Sequence, residues 1–326
     1  MSQLPAIKPP RSVELDGRED KLPEIVEAAG DAARFAFDEF FYGRLRNPYT
    51  RKAYRHAVEQ MLGWARQLGR ELHQITPKDV GMYLDGTSYA VATKKLHLAA
   101  LRHFFDELVI RHVIVLNPAL SVRGERYEVV EGKTPEIGVE DARRLLHSID
   151  TSHVVGLRDR AIIGVLIYTA ARVGAVAKLH REHFYDSGNQ FCLRFTEKGG
   201  KSREIPVRHD LQSYLLEYLD AACLLDADTG SPLFRTAIRR TKQLTENAMT
   251  AGDMGRMVKR RVRDAGLSAR LCPHSFRVTT ITDLLEQNVP LADVQYLAGH
   301  ADPRTTRLYD RRQKRVTRQI VERISI

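Results

Sequence analysis

Two blocks of helical hydrophobic periodicity, separated by a polar stretch, set the strongest limit on how this chain folds. Apolar residues recur at helical spacing along residues 31–120 and again from residue 138 onward, which is typical of helices that bury one face. Residues 121–137, SVRGERYEVVEGKTPEI, lack such a pattern and predict an interdomain linker. The chain has 326 residues, enough for two domains with separate cores. We therefore expect two domains built mainly of helices.

The first domain, residues 31–120, is predicted to contain four or five helices. Thr76-Pro77 places a capping residue before a proline at the first helical position. A later helix, from about Ala90 to Ile110, is expected to bury a stripe formed by Leu96, Leu98, Leu101, Phe104, Phe105 and Leu108. Residues 1–30 are rich in proline and charge and predict a flexible lead.

The second domain, residues 138–326, changes its period once. A strongly apolar helix is expected over about 156–169, whereas residues 182–208 alternate between apolar and polar and contain the turn signals DSGN and GG. This pattern predicts an antiparallel sheet of two or three strands. Residues 210–326 are predicted as helices with short loops, with a tail over 310–326. The predicted fold class is mainly α with a small antiparallel β-sheet, an all-helical domain followed by an α+β domain.

Basic charge is concentrated in the C-terminal third of the chain. The formal net charge is +10, and the segment from Arg235 to the end has 19 Lys and Arg against 9 Asp and Glu. Cations near phosphates release condensed counterions, so this distribution is the one expected for a polyanion partner. A solvated basic face would give the same count.

Other broad classes are disfavoured by composition. No apolar run approaches the roughly 20 residues of a membrane span, and the N-terminus lacks the apolar core of a secretory signal. We expect a cytoplasmic protein with no membrane partner. The cysteines, Cys192, Cys223 and Cys272, show no CxxC spacing, so neither a disulfide framework nor a zinc site is predicted.

Four segments contain residues suited to phosphate chemistry, beginning with Arg172 and Lys198. Arg172 follows the apolar helix, and its guanidinium can donate two parallel hydrogen bonds to a phosphate or form an internal salt bridge. Lys198 lies at the predicted Gly199-Gly200 turn, where it could protonate a departing oxygen or only solvate the turn. Lys201 and Arg203 on the same hairpin could contact backbone phosphates, or the hairpin could be an ordinary charged one.

The other two segments contain His274, Arg277, His300 and Tyr309. The i, i+3 spacing of HSFR places His274 and Arg277 on one face of a first helical turn, where backbone N–H groups favour an anion. In LAGHADPRTTRLYDRR, Tyr309 is a competent nucleophile once deprotonated, and two nearby arginines would lower its pKa from about 10. It could instead pack against its own helix. Cys272, His274 and His300 are residue types that bind metals, but no fourth ligand or known spacing supports a metal site.

In order, these segments resemble the tyrosine recombinase (phage integrase, Cre- and Xer-like) family. The intervals of 23 residues from Arg277 to His300 and of 9 from His300 to Tyr309 match the family's habit, as do the runs LAGH and TTRLY. The resemblance covers about residues 31–315. It implies a SAM-like core-binding domain, a linker and a catalytic domain, which clamp duplex DNA from opposite sides.

The resemblance also implies a role for each of six catalytic residues. Arg172 and Arg277 would hold the non-bridging oxygens of the scissile phosphate, and Lys198 would protonate the 5′-hydroxyl leaving group. His274 would help to remove the proton of Tyr309, and His300 would hydrogen-bond the phosphate. Tyr309 would form a 3′-phosphotyrosyl link. Because that link conserves the phosphodiester energy, no ATP, metal or other cofactor is expected.

The implied partners are double-stranded DNA with specific recombination sites and further copies of the chain, as a homotetramer on synapsed DNA associated with the nucleoid. The apolar residues Val316, Ile320, Val321 and Ile324 of the tail would dock on a neighbouring subunit or on their own domain. Lys94, Lys95 and His97 would face the major groove or only solvent. The sequence departs from the family at Ala175, where an acidic residue is usual, in TAAR instead of TGxR, and at Val278 instead of a second histidine.

Three other functions remain open from the sequence. The chain could be a DNA-binding regulator that kept the fold and lost the chemistry, or a topoisomerase-like enzyme that relaxes DNA without exchanging partners. A metal-dependent nuclease is the third. Site-specific recombination with strand breakage and rejoining is the reading that uses all six polar residues.

Overall fold

The computed structural model describes residues 22–126, 134–196, 202–239, 241–309 and 322. The chain divides into two compact units, Met1–Glu128 and Val129–Ile326, called here the N-terminal and the C-terminal unit. Across the described residues, no helix is both long and apolar enough for a membrane crossing.

The N-terminal unit is helical throughout its described part. Its α-helices are α1 (Glu24–Ala28), α2 (Asp31–Asp38), α3 (Pro48–Gln67), α4 (Pro77–Gly86) and α5 (Val91–Ile110), with a π-helical turn at Glu39–Arg44 and a 3-10 turn at Leu72–Gln74. Helix α4 begins as the sequence predicts, because the Thr76 hydroxyl accepts the N–H of Asp79 and Pro77 follows the cap. Helix α1 lies within the predicted flexible lead: Ile25 and Val26 are buried there, an apolar pair that the surrounding charge and proline conceal.

Aromatic side chains form the centre of this unit. Phe104 of α5 packs edge-on against Phe37 and Phe40, at ring-centroid distances of 6.0 and 5.6 Å. The buried stripe of α5 differs from the prediction at its start. Leu96 is 39% exposed, whereas His97 is 2% exposed, because the Tyr83 hydroxyl lies 2.9 Å from His97 Nδ1 and satisfies the ring inside the core.

The C-terminal unit combines helices with two small sheets. Its helices are α6 (Val139–His147), α7 (Val154–Tyr168), α8 (Val173–Val176), α9 (His209–Ala221), α10 (Ala251–Asp264), α11 (Pro273–Glu286), α12 (Leu291–Ala298) and α13 (Pro303–Arg307), with a 3-10 turn at Arg181–His183. The mainly α fold class with a small antiparallel sheet is thus confirmed.

The predicted sheet consists of β1 (Phe184–Asp186), β2 (Phe191–Thr196) and β3 (Ser202–Pro206), antiparallel in that order. In its register Leu193 opposes Ile205, and both are buried. A second sheet, β4 (Arg235–Ala237) with β5 (Leu244–Ala248), lies where only helices and loops were predicted. Both strands are short and none of their residues is fully buried, so they show no hydrophobic alternation to detect.

Helix α7 occupies the middle of the C-terminal core and packs on α9 and α11. At Gly164 a Cβ atom would lie 3.0 Å from Leu211 Cδ1 and 3.2 Å from Tyr214 Cδ2. A larger residue at this position would therefore require these α9 side chains to move by a few tenths of an ångström. Contacts with α9 and α11 hold α7, and the turn at residues 169–172 follows this helix directly.

Asp159 of α7 is a buried carboxylate shared by three arginines. Its Oδ1 accepts from Arg158 Nη2 at 2.7 Å, and its Oδ2 from Arg260 Nη2 at 3.0 Å and Arg261 Nη2 at 2.8 Å. The carboxylate is fully buried, so its charge is stable there only because these donors meet it. The cluster ties α10 to α7.

Replacing Asp159→Asn is expected to lower the free energy of unfolding of the C-terminal unit by about 3–5 kcal/mol, because buried Arg158 would lose its counterion. Urea unfolding followed by hydrogen exchange of α7 peptides measures this. Asp226→Asn, a change of the same kind at an exposed position, is the matched control. Equal protection of α7 from hydrogen exchange in both variants would contradict the role of Asp159 as the buried counterion.

Candidate active site

The turn after α7 presents the first predicted site residue, Arg172. Ala170 has a φ of 50°, a left-handed conformation that is costly for a residue with a Cβ. Arg172 then caps α8 with an extended backbone. Its side chain is exposed, and Nη1 donates to the carbonyl of Gly299 at 3.3 Å. Among the described residues it forms no ion pair, so the internal salt bridge left open by the sequence is not found there.

Arg277 lies one turn into α11 and is 1% exposed. Its Nη1 donates to the carbonyl of Ala170 at 2.5 Å, while Nε and Nη2 have no hydrogen-bond partner within the described chain. Burial, and then the nearby Arg172 charge, lower the pKa of Arg277, although a guanidinium remains cationic at neutral pH. Buried donors of this kind fit a side chain that receives an anion.

The side chains of His274 and Tyr309 contact each other, and both lie near Arg277. The Tyr309 hydroxyl lies 3.3 Å from His274 Nε2, which is within reach of proton transfer. Although part of the His274 surface is exposed, loss of water around its ring lowers its pKa, and the charges of Arg277 and Arg172 lower it further. A histidine kept neutral in this way can accept a proton from a phenol.

His300 follows the left-handed cap of α12, Gly299, whose φ is 61°. Its ring stacks on that of Tyr309 with a centroid distance of 5.8 Å and an interplanar angle of 12°. Its Nδ1 lies 2.8 Å from the hydroxyl of Thr306. Burial, followed by repulsion from Arg277 and Arg172, lowers the pKa of His300 to about 3. The ring is therefore neutral at any pH near 7.

Five of the six predicted catalytic residues thus converge within the C-terminal unit. Arg172 contacts Gly299, the residue before His300, and Arg277 contacts Ala170, two residues before Arg172. The residues brought together are Arg172, His274, Arg277, His300 and Tyr309. Lys198, Lys201 and the tail residues Val316, Ile320, Val321 and Ile324 lie outside the described residues.

Arg203 does not lie where the sequence predicted it. It is 5% exposed, its guanidinium is 5.2 Å from the centroid of the Phe195 ring, and Nη1 donates to the carbonyl of Leu297. Side chains alternate along β3, and Arg203 shares the buried face with Ile205. Its charge lowers the pKa of His300 as a minor cause, so Arg203 acts on the site from inside the protein instead of projecting toward backbone phosphates.

The sequence did not reveal several groups that support the site, because most of these groups are backbone carbonyls. The carbonyls of Ala170, Gly299 and Leu297 each accept a bond from an arginine. Gly299 was visible in the LAGH run, but the direction of its carbonyl was not. Ala175, at the usual acidic position, is half-buried against the core, so the bond that Arg172 makes to the Gly299 carbonyl is its support in the described chain.

The three residues of α5 predicted to face DNA, Lys94, Lys95 and His97, differ in their exposure. Lys94 is half-buried and its Nζ lies 3.7 Å from Glu125 Oε1. Lys95 is exposed. His97 is buried against Tyr83 and does not face solvent, which corrects the prediction for this residue.

His180, Glu182 and His183 place potential metal-ligand atoms within 4.8 Å of one another. However, His183 Nδ1 accepts the backbone N–H of His180 at 2.8 Å, and the His180 side chain accepts the backbone N–H of His183. A neutral imidazole that accepts at one nitrogen has its proton on the other. The two rings therefore serve as caps of the 3-10 turn, and neither has a second lone pair for a metal.

Comparisons with known proteins give one family model for each unit of the chain. The model described as "Phage integrase family" matches residues 136–315, and "Phage integrase, N-terminal SAM-like domain" matches residues 37–112. Tyrosine recombinase XerC of Escherichia coli O157:H7 is 27% identical over 276 residues, 82% of this chain and 86% of the relative. Tyrosine recombinase XerD of Listeria monocytogenes serotype 4b is 28% identical over 221 residues, 65% of this chain and 69% of the relative.

Solved structures show the same fold. XerH recombinase bound to palindromic difH substrate, in a post-cleavage complex, aligns with a TM-score of 0.65 at 20% identity, over 81% of this chain and 77% of that one. A lambda integrase tetramer bound to a Holliday junction aligns with a TM-score of 0.62 at 18% identity, over 93% and 84% of the two chains.

Acidification is expected to destabilise the C-terminal unit through His300. Its pKa is about 3 in the folded chain and about 6.5 when unfolded, so the unfolded state binds more protons between these values. The free energy of unfolding therefore falls as pH drops below about 6.5, by at most about 1.4 kcal/mol per pH unit from this group. Urea unfolding at pH 7.0, 6.0 and 5.0 measures the slope.

His300→Gln should flatten that slope, and exposed His209→Gln should leave it as in the wild type. His274, whose pKa is lowered too, accounts for part of the slope that remains. Parallel curves for the wild type and His300→Gln would show that His300 is not the buried neutral group inferred here.

Proposed function

Because the chain belongs to the phage integrase family, we propose that it is a site-specific recombinase that cuts and rejoins DNA through a covalent bond between Tyr309 and a phosphate. The observation that supports this most is the contact of 3.3 Å between the Tyr309 hydroxyl and His274 Nε2, beside two arginines. A phenol that only packs against its own helix has no need of this environment.

The scissile phosphate would bind between Arg172 and Arg277. Both guanidiniums are oriented by backbone carbonyls, of Gly299 and Ala170, which fix their direction without neutralising their charge. Donors fixed in advance where negative charge develops stabilise a pentacovalent phosphorus more than its ground state. His300 would add a third hydrogen bond to the same phosphate.

Cleavage would begin when Tyr309 gives its proton to His274 and its oxygen attacks the phosphorus. The bond between phosphorus and the 5′-oxygen breaks as the new bond to the tyrosine oxygen forms, in line with it. Lys198 would give a proton to the leaving 5′-oxygen. The products are a 3′-phosphotyrosyl link and a free 5′-hydroxyl.

Rejoining reverses these steps with a 5′-hydroxyl from another strand. The tyrosyl phosphodiester replaces a DNA phosphodiester, so no energy-rich cofactor takes part, and the fixed cations of the site do what a metal ion would do elsewhere. Strand exchange needs two duplexes, and we propose a homotetramer on synapsed, site-specific double-stranded DNA. Solved structures of the same fold include a lambda integrase tetramer bound to a Holliday junction.

We expect a covalent protein–DNA adduct to form in EDTA when the chain meets nicked duplexes of randomised sequence. The nick lets the short strand beyond the cut diffuse away, so that the reverse step is lost. The adduct should survive denaturation, and sequencing its attached end gives the target. Tyr309→Phe should form none, whereas Tyr296→Phe, at an exposed tyrosine of α12, should match the wild type.

Three outcomes would count against the proposal. An adduct that persists in Tyr309→Phe would reject the nucleophile. No adduct from the wild type, together with tight DNA binding, would favour a regulator that has lost the chemistry. Relaxation of a supercoiled plasmid that lacks the recovered sequence, without recombination, would favour a topoisomerase-like enzyme.

Lys198→Ala is expected to slow cleavage of the recovered sequence by about 10²–10⁴-fold, because general acid catalysis of the leaving group is lost. A substrate with sulfur in place of the bridging 5′-oxygen should restore near wild-type rates, since a thiolate leaves without protonation. Lys201→Ala is the control, and it should affect both substrates alike. If Lys198→Ala remains equally slow on sulfur, another group supplies the proton.

A further inference from the structure

Thr306 is a buried neighbour of His300, one of the predicted catalytic residues. It is fully buried in α13, three residues before Tyr309, and its hydroxyl lies 2.8 Å from Nδ1 of His300. The other ring nitrogen of His300, Nε2, forms no hydrogen bond within the described chain. Nε2 is therefore the atom of His300 that would bind a phosphate. It can donate a hydrogen bond only if the ring proton lies on Nε2 and not on Nδ1.

Two arrangements of protons fit a distance of 2.8 Å. In the first, the Thr306 hydroxyl donates to Nδ1 and the ring proton is on Nε2. In the second, Nδ1 donates to the hydroxyl and Nε2 is a bare acceptor. Only the first arrangement makes Nε2 a donor to a phosphate oxygen. In the second, the lone pair of Nε2 would face a lone pair of that oxygen.

Comparison with two other threonines indicates the first arrangement. Thr279 and Thr280 of α11 donate their hydroxyls to carbonyls four residues earlier, Ser275 and Phe276, at 3.1 and 3.0 Å. The Thr306 hydroxyl, within the described residues, bonds only to Nδ1 of His300. In the second arrangement its hydroxyl hydrogen would be buried without an acceptor, at a cost of about 1–3 kcal/mol. In the first it is satisfied by Nδ1.

The charges around the ring require that His300 act without a positive charge. Burial first, and then the charges of Arg277 and Arg172, disfavour a second proton on the ring, and the pKa of His300 is about 3. A neutral imidazole can donate from one nitrogen only. The choice of tautomer therefore decides whether His300 helps or opposes phosphate binding.

We propose that Thr306 is a positioning residue that fixes the tautomer of His300: its hydroxyl donates to Nδ1, keeps the ring proton on Nε2, and so makes His300 a neutral hydrogen-bond donor to the scissile phosphate. This inference rests on the proposed function for its phosphate, but the tautomer itself belongs to the free protein. The two can be tested apart.

The tautomer is read first, in the full chain without DNA, from the ¹⁵N shifts and two-bond couplings of labelled histidines. His300→Gln identifies the resonances of residue 300 by their loss. The wild type and Thr306→Ser should show the proton on Nε2. Thr306→Val, which keeps the shape and removes the hydroxyl, should shift His300 toward a mixture with the Nδ1-protonated form. Thr305→Val, at the neighbouring threonine of α13, should leave it unchanged.

Cleavage of the nicked duplex with the recovered sequence is read second. Loss of one donor to a developing oxyanion costs about 10²–10³-fold in rate, and a partial tautomer shift should cost about 10-fold or more. We expect Thr306→Val to slow adduct formation by at least that factor, with Thr306→Ser within about threefold of the wild type and DNA affinity unchanged.

A double-mutant cycle separates the tautomer from simple support of α13. In a His300→Gln background the amide donates without any tautomer, so Thr306→Val should add no further loss. An equal loss in both backgrounds would reject the inference in favour of packing, as would a wild-type ring protonated on Nδ1. Failure of the wild type to form any adduct would instead reject the proposed function and leave the tautomer result standing.

Discussion

Arg277 is a cation held almost completely out of water, and the arrangement of the C-terminal unit around Tyr309 depends on it. Burial of a guanidinium is costly unless each of its donors meets an acceptor. One donor meets the carbonyl of Ala170, which faces Arg277 because the chain adopts a left-handed turn there after α7. Nε and Nη2 form no hydrogen bond within the described chain, and the Tyr309 side chain lies near enough to raise the pKa of Arg277 against the effect of burial. An anion bound between the arginines would meet these two donors.

The same field determines what the two histidines can do. Arg277 and Arg172 lower the pKa of both His274 and His300, in addition to the effect of burial. Neutral rings can accept a proton from a phenol or donate one hydrogen bond, but they cannot add a third fixed charge. This division explains why neighbouring imidazoles take different parts: His274 faces the hydroxyl of Tyr309, while His300 stacks on its ring and is held at Nδ1 by Thr306.

The sequence was sufficient for the family, the fold class and the first sheet, because their signals are local or lie in the order of a few polar residues. It was insufficient where long-range contacts override local pattern. His97 is buried because Tyr83 satisfies it, and Arg203 is buried because it lies on the inner face of β3 and reaches a carbonyl of α12. Thr306 reads as an ordinary helical threonine. Only the folded chain, which brings its hydroxyl to a histidine six residues earlier, distinguishes it from Thr305.

Ala175 leaves Arg172 without the carboxylate that the family usually has nearby, and the consequence is electrostatic. A carboxylate would hold the guanidinium in place, but it would also compete with a phosphate for the same donors and cancel part of its charge. The Gly299 carbonyl orients Arg172 as a dipole and leaves the full charge available. The left-handed cap that aims this carbonyl also places His300 directly after it. Gly299 therefore links the direction of the exposed Arg172 side chain to the position of the buried, neutral His300 ring. A change in the backbone at Gly299 would move both side chains relative to Tyr309.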